Sequence, residues 1–297
     1  WVWAFWFAIL KHLSSLNKNK TFFAIEKDEL TLKTLLEKRE NPYFYNWVKL
    51  WENIEFFSSE NFDYSSFDLI IVAIPAQFVW GFLDGIKSNL KPWVTFLNLA
   101  KWIDNKSLKT IWEIFDKKFV WFDFNYANLS GWMIALELVE QKILWATISS
   151  KNTEALEKLK NIFNWNNLEI SLSNDVKNSE LSWSIKNIIS LYIWYLEAKW
   201  NNMSSIWYYL SKIFKEIPIL FKELWWEEKI KFEEFYFIWD IIATCFWDSR
   251  NKYFWKLVWS WLSSSEAKEK LSLEKKHAEW YETLVWIKDI IKNKYIF

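Results

Sequence analysis

Trp1, Trp3 and Trp6 stand at the spacing W-x-W-x-x-W, and Glu26 follows twenty positions after the last of them. With glycine in place of tryptophan the opening becomes G-V-G-A-F-G, the phosphate turn of a dinucleotide-binding fold. The first glycine permits the tight turn, the second lets a pyrophosphate approach the backbone, and the third packs helix against strand. Such folds hold the adenosine ribose with an acidic residue about 20 positions on. Glu26 closes the apolar run T-F-F-A-I-E and Lys27 follows it. A ribose hydroxyl and a 2′-phosphate therefore each find a candidate partner, and the choice between NAD and NADP stays open. Other chemistries find fewer residues. Cys245 is the single cysteine, so neither an internal disulfide nor a C-x-x-C or Cys-His metal set is expected. His12 and His277 fit no catalytic pattern and are expected to be structural.

The substitution of glycine for tryptophan is suggested by composition. The chain of 297 residues contains 26 Trp and 3 Gly, whereas glycine is ordinarily about 7% of residues. Many of the tryptophans stand where a turn residue is expected: Trp93 after Pro92, Trp102 after Lys101, Trp239 before Asp240, and Trp225-Trp226 in a charged stretch. An indole gains nothing in a tight turn that needs positive φ or close backbone approach. The reading is that most of these positions are glycine in the native protein, from UGA codons that mean glycine in the source but were translated as tryptophan. Thirty-seven basic residues that include only two arginines, Arg39 and Arg250, fit an AT-rich genome.

The elements that must position these residues alternate over the first 175 positions. Helical patterns are read at 8–16, 30–38, 78–90, 106–115 and 154–163. Strands are read at 21–26, 68–74, 95–100, 143–149 and 168–172. The run D-L-I-I-V-A-I is the kind of continuous apolar strand that both faces of a parallel sheet bury. This β-α-β alternation predicts a doubly wound parallel sheet. From about residue 180 strand signals vanish, and apolar residues recur three and four apart, as in 185–195 and 208–220, which predicts an all-helical second domain. The expected domains are 1–178 and 179–297. Ser263-Ser264-Ser265 reads as a loop and helix cap before Glu266. A strand normally precedes a phosphate turn, so about six residues are expected to be missing before Trp1.

Several function classes are disfavoured. Zero formal net charge argues against a protein that lives on nucleic acid. No apolar run reaches the ~18 residues of a membrane span, and Pro75 and Gln77 interrupt the best candidate, 69–79. The opening W-V-W-A-F-W-F-A-I-L lacks a basic segment before it and is not read as a targeting signal. A cytoplasmic protein is expected, with no stable membrane insertion; a homodimer is left open.

Beyond the turn the sequence resembles bacterial NAD(P)-dependent glycerol-3-phosphate dehydrogenase over nearly its whole length. The stretches that carry the resemblance include N-P-Y-F-Y-N-W-V-K-L-W-E-N-I (41–54), D-L-I-I-V-A-I-P-A-Q (68–77), L-K-P-W-V (90–94), A-K-W-I (100–103) and L-S-G-W-M-I-A (129–135). In the second half they include E-L-S-W-S-I-K-N-I-I (180–189), W-D-I-I-A-T-C (239–245), S-R-N-K-Y-F-W (249–255) and A-E-W-Y (278–281). In nearly every one a Trp falls where the family has Gly. The resemblance implies a Rossmann-type α/β domain followed by an all-α domain, the architecture of 6-phosphogluconate dehydrogenase. It implies hydride transfer between NAD(P)H and dihydroxyacetone phosphate, supplying sn-glycerol 3-phosphate for phospholipid synthesis.

The resemblance also implies roles. Lys186 is the general acid/base, with a pKa lowered by burial and a cationic neighbour. Lys101 is the second active-site lysine, and Asp240 contacts substrate or orients a catalytic lysine. Arg250 grips the substrate phosphate and meets the cofactor, flanked by the donors Ser249 and Asn251. Gly131 and Met133 belong to the loop over substrate. Trp1, Trp3, Ala4, Phe5, Trp6, Glu26, Lys27, Lys101, Ala135 and Glu279 fall at cofactor positions. Cys245 is read as packed core, and Arg39 as surface. Two departures affect the substrate pocket: the family's S-G-P-x-F-A is S-G-W-M-I-A here, and its N-x-K element is Asn202-Met203-Ser204. Two other readings are another β-hydroxyacid-type dehydrogenase and, if the indoles are genuine, a non-enzymatic aromatic-rich binding protein.

Overall fold

The computed structural model describes residues 2–273 except 61, 101–108, 132, 164–166, 201, 225–233, 235, 248–249 and 260–261. It divides into two compact units, one of residues 1–101 and 109–177, the other of 102–108 and 178–297.

The first unit opens on α1 (Val2–Leu16), whose Phe5, Phe7, Ala8, Ile9 and Leu13 are buried in the main core. With Ala4 and Leu10 also buried, α1 is covered on all sides rather than along one stripe, and it begins six residues N-terminal to the predicted start. Asn53 staples the end of α1 by donating from Nδ2 to the carbonyls of Ser14, Asn17 and Lys20 at 3.1, 3.2 and 3.0 Å. β1 (Phe22–Glu26) follows, then α2 (Glu29–Lys38), capped where Asp28 Oδ2 accepts from Thr31 N at 2.8 Å. β2 (Ile54–Ser58) pairs parallel with β1, Phe22 opposite Ile54 and Glu26 opposite Ser58.

A second sheet runs β3 (Leu69–Val72), β4 (Val94–Asn98), β5 (Phe124–Ser130), β6 (Leu144–Ser150) and β7 (Leu168–Ser173), in that order. α3 (Ala76–Ile86) connects β3 to β4, and α4 (Ile111–Lys118) precedes β5. α5 (Ala135–Val139) precedes β6, and α6 (Thr153–Phe163) precedes β7. β3–β4 and β6–β7 are parallel, as predicted, and the unpredicted β5 pairs parallel with β4, but β6 is antiparallel to β5. The reason lies in the connection, which holds only the five-residue α5 and returns the chain beside β5 rather than carrying it across a face. In the doubly wound order 3-2-1-4-5-6 the strand before the phosphate turn lies between the second and fourth strands. Among the described residues β1 pairs only with β2, and β3 only with β4.

The second unit is helical among its described residues. α7 (Val176–Trp200) begins in the first unit and continues into the second, and α8 (Met203–Leu224) runs through Pro218. α9 (Ile238–Phe246), α10 (Arg250–Trp259) and α11 (Ser264–Leu273) complete it. Leu181, Ile185, Ile189, Ile193 and Leu196 form one buried stripe of α7 against Ile206, Leu210 and Ile217 of α8 and Ile241 and Cys245 of α9. Ser263 caps α11, accepting from Glu266 N while Glu266 Oε2 accepts from Ser263 N, a reciprocal capping box.

Candidate functional site

The residues that sequence and resemblance single out fall on both units. In the first, Glu26 is the last residue of β1, at the carboxyl end of a parallel strand, where open α/β sheets bind ligands. Its Oε1 accepts from Lys27 N at 2.7 Å and Asp28 N at 2.9 Å. Ala4 and Phe5 are buried in α1, and the Trp6 indole packs against the same core. α1 carries no acidic side chain in its first turn, so its amino end is free of negative charge that would repel a phosphate. Two of these features fit an adenine dinucleotide: a carboxylate for the ribose hydroxyl and a helix first turn without acidic residues for the pyrophosphate. Of the three turn positions, Trp1 lies outside the described residues, and only the backbone of Trp3 is described.

At the end of β4 the buried Asn98 brackets the backbone that leads to Lys101. Its Oδ1 accepts from Ala100 N at 2.9 Å and its Nδ2 donates to Ala100 O at 3.1 Å. Lys101 itself lies outside the described residues. Gly131 follows β5 at φ +115°, and a Cβ there would stand 3.1 Å from Ala146 Cα and 3.2 Å from Trp145 O. Only glycine fits this position without strain. Met133 and Ala135 beyond it are buried.

In the second unit the structure brings two predicted residues together. Lys186, 4% exposed on α7, donates from Nζ to Asp240 Oδ1 at 2.7 Å and Oδ2 at 2.6 Å, and Asp240 on α9 is buried as well. The pair forms because α7 turns Ile185 and Ile189 into the core and carries Lys186 beside them. A buried ammonium without a counter-charge is costly, and the carboxylate removes that cost. Burial lowers the Lys186 pKa below the ordinary lysine value, and the Asp240 charge and hydrogen bonds pull it partly back. The described counter-ion of Lys186 is thus the Asp240 carboxylate. Asp240 lies in the first turn of α9, after the capping position Phe237. Thr244 donates from Oγ1 to Asp240 O at 2.6 Å and ties the acid to the next turn.

Asn187, 1% exposed, has no hydrogen-bond partner at Oδ1 or Nδ2 among the described residues. A buried, unsatisfied amide costs about 1–3 kcal/mol and needs a reason. In the sequence Asn187 stands beside Lys186 in the stretch S-I-K-N, and its burial singles it out here. Arg250 and Asn251 begin α10, whose backbone alone is described there, and Ser249, Glu279 and His277 lie outside the described residues.

Three remaining expectations have structural outcomes. Cys245 is buried, its thiol donates to Ser190 Oγ at 3.7 Å, and burial pushes its pKa up to about 12, which suits core rather than nucleophile. Arg39 is not a free surface group: it donates to Trp51 O at 2.6 Å and Ile54 O at 2.7 Å, lies over the Phe56 ring, and ends α2 at φ 58°. His12 is buried and structural, with its pKa lowered to about 4 by desolvation. Among the described residues no group of three or more His, Cys, Asp and Glu could hold a metal ion, and no helix is long and apolar enough to cross a membrane.

Comparison with known proteins places this geometry. Residues 4–156, just over half of the chain, match the family described as NAD-dependent glycerol-3-phosphate dehydrogenase N-terminus. The chain is 26% identical over 165 residues to a chloroplastic glycerol-3-phosphate dehydrogenase [NAD(+)] of Oryza sativa, which covers 56% of this chain and 38% of the relative. It is 30% identical over 125 residues to the glycerol-3-phosphate dehydrogenase [NAD(P)+] of Leptospira biflexa, covering 42% of this chain and 38% of the relative. The matched region thus spans well under half the length of either relative. Among solved structures, the Plasmodium falciparum glycerol-3-phosphate dehydrogenase superposes with a TM-score of 0.86 at 20% identity, covering 98% of this chain and 84% of that one. The Coxiella burnetii glycerol-3-phosphate dehydrogenase gives 0.80 at 14% identity, covering 98% and 87%. At these identities the two structures share their fold with this chain.

Proposed function

The chain belongs to the NAD-dependent glycerol-3-phosphate dehydrogenase family, and we propose that it interconverts dihydroxyacetone phosphate and sn-glycerol 3-phosphate. The observation that carries the reading is the buried Lys186–Asp240 pair, because ketone reduction needs a positioned proton donor of tuned acidity. A reduced nicotinamide, when bound, supplies the hydride. Lys186 gives a proton from Nζ to the developing C2 alkoxide, and Asp240 holds that ammonium in place through both carboxylate oxygens. Asn187 is assigned to the substrate hydroxyls, which would satisfy its amide. By resemblance Arg250, with Ser249 and Asn251, takes the phosphate, Lys101 polarises the substrate oxygen, and Gly131 and Met133 cover the substrate. The first unit is assigned to the dinucleotide, with Glu26 on the ribose, Ala4, Phe5 and Ala135 against the cofactor, and the turn at positions 1, 3 and 6 on the pyrophosphate; by resemblance Glu279, from the second half of the chain, is assigned to the cofactor as well. The second unit is assigned to the substrate, and the protein to the cytoplasm, where its product would feed phospholipid synthesis.

The reading includes native glycine at most Trp positions. Two features support it: Trp93 sits at φ +65°, and Trp121 is 97% exposed. An indole at positive φ costs about 1–2 kcal/mol and a fully exposed one stabilises nothing. The test is NADH and NADPH oxidation driven by dihydroxyacetone phosphate, using protein with glycine at the Trp positions. Turnover that falls on Lys186→Ala by a factor on the order of 10²–10⁴ is expected. Folded protein without turnover on this substrate would overturn the reading.

A further inference from the structure

We infer that the ion pair between Lys252 on α10 and Glu197 on α7 seats the amino end of α10, so that both are positioning residues for the substrate phosphate, acting through Arg250 and Asn251. This rests on the reading that assigns Arg250 and Asn251 to that phosphate, and deepens it with what holds those residues in place. Lys252 stands in the first turn of α10, two residues after Arg250 and next to Asn251. Its side chain is only 6% exposed, and its Nζ lies 2.8 Å from Glu197 Oε2. A lysine withdrawn from water loses hydration that a counter-charge at this distance offsets. The pair therefore fixes where the first turn of α10 stands against α7, which non-directional apolar packing does less sharply.

The pair is the last rung of a ladder along α7. Lys186, Ser190, Trp194 and Glu197 stand four, four and three residues apart, the spacing of one helix face. Lys186 donates to both carboxylate oxygens of Asp240. Ser190 donates from Oγ to Lys186 O at 2.5 Å and accepts from the Cys245 thiol at 3.7 Å. Trp194 donates from Nε1 to Cys245 O at 2.8 Å, and Glu197 takes Lys252. One face of α7 thus carries both the proton donor and the tie that seats α10. Phe254, Trp255 and Leu257 of α10 also pack with Trp194, Ala267 and Leu271. Positions 194 and 255 are among those where native glycine is proposed. With glycine at both, that packing shrinks and the ion pair remains.

The experiment is steady-state kinetics on full-length protein with the native residue at every Trp position. Reduction of dihydroxyacetone phosphate is compared with reduction of dihydroxyacetone, which lacks the phosphate. Glu197→Gln keeps the shape and removes the counter-charge. It is expected to raise KM for dihydroxyacetone phosphate at least about tenfold. The dinucleotide KM, kcat, and kcat/KM for dihydroxyacetone are expected to change less than about twofold. Lys252→Arg keeps the pair and is expected to keep the KM of the unmodified protein. Where Glu197→Gln leaves too little folded protein, Glu197→Gln combined with Lys252→Met removes both charges and is expected to show the same selective rise. An unmoved KM, or losses on the two substrates in equal proportion, would make the pair merely structural and overturn the inference while the dehydrogenase reading stands. Failure of the unmodified protein to reduce dihydroxyacetone phosphate would overturn that reading, and the inference with it.

Discussion

An ammonium group buried among isoleucines persists only if something compensates its lost hydration, and at Lys186 that is Asp240. Asp240→Asn keeps the shape and removes the charge, so the buried lysine loses both its counter-ion and its orientation. The expected outcome is a fall in kcat on the order of 10²-fold or more, with KM for dihydroxyacetone phosphate changing far less. A change in KM alone would assign Asp240 to binding instead. The lowered Lys186 pKa gives a second outcome. A general acid must be protonated, so the reductive rate should fall as pH rises through a value below the ordinary lysine pKa of about 10.4. His12 governs stability rather than rate. Its folded pKa of about 4 lies below the ordinary histidine value of 6.5, so the unfolded chain binds the extra proton between these values. Stability from this group is present above about pH 6.5 and is lost as pH falls toward 4. Between pH 7 and 5 the loss is about 2 kcal/mol, measurable by urea unfolding and absent in a folded His12→Asn variant.

Elements were legible where their signals were local. β1, α2, β3 and α6 emerged within a few residues of their predicted bounds, because apolar runs and cap residues mark them in short windows. β2 and β5 escaped. I-E-F-F-S is five residues long and flanked by polar chain, and F-N-Y-A-N-L-S reads as loop because of its two asparagines. Several polar groups of β5 are met by its neighbours. Ser150 Oγ donates to Tyr126 O at 2.6 Å, Ser130 Oγ to Thr147 O at 3.4 Å, and Asn152 Nδ2 to Asn125 Oδ1 at 2.7 Å. Such pairings come from strand register, which no single window contains. Spacing alone gave no sign of the Lys186–Asp240 pair, because 54 positions separate them and α7 and α9 must fold first; only the resemblance offered an Asp240 that orients a lysine. The sheet also carries a test of its own. Phe96 on β4 is fully buried, with its ring centroid 5.0 Å from Phe115, 5.7 Å from Phe119 and 6.2 Å from Phe124. Phe96→Ala should therefore lower unfolding free energy by about 3–5 kcal/mol; a loss under about 1 kcal/mol would mean that this cluster does not hold β4 to α4.

For the molecule as a whole the decisive question is which residue the tryptophan positions carry natively, and the structure gives two of them opposite signs. Trp93 is 62% exposed at φ +65°, a conformation that glycine adopts freely and an indole does not. In the chain as written, Trp93→Gly should raise unfolding free energy by about 1 kcal/mol, relieving strain at the cost of some unfolded-state entropy. Trp194 is 2% exposed on α7, and its Nε1 donates to Cys245 O at 2.8 Å. Its removal alone leaves a cavity the size of an indole beside α9, so Trp194→Gly in the same chain should cost about 3–5 kcal/mol. The native protein escapes that cost if glycine there lets α7 and α9 close together, which requires the other tryptophans to change as well. Single and combined substitutions, followed by denaturant unfolding, separate the two cases. A combined glycine set more stable than the sum of its single effects shows a backbone built for glycine, because coupled packing is non-additive. A combined set that loses at least that sum shows a backbone built for indoles. The intact mass of protein from the native host checks the same point independently: a mass below that of the written chain, with glycine in the peptides spanning positions 93 and 194, is the expected result.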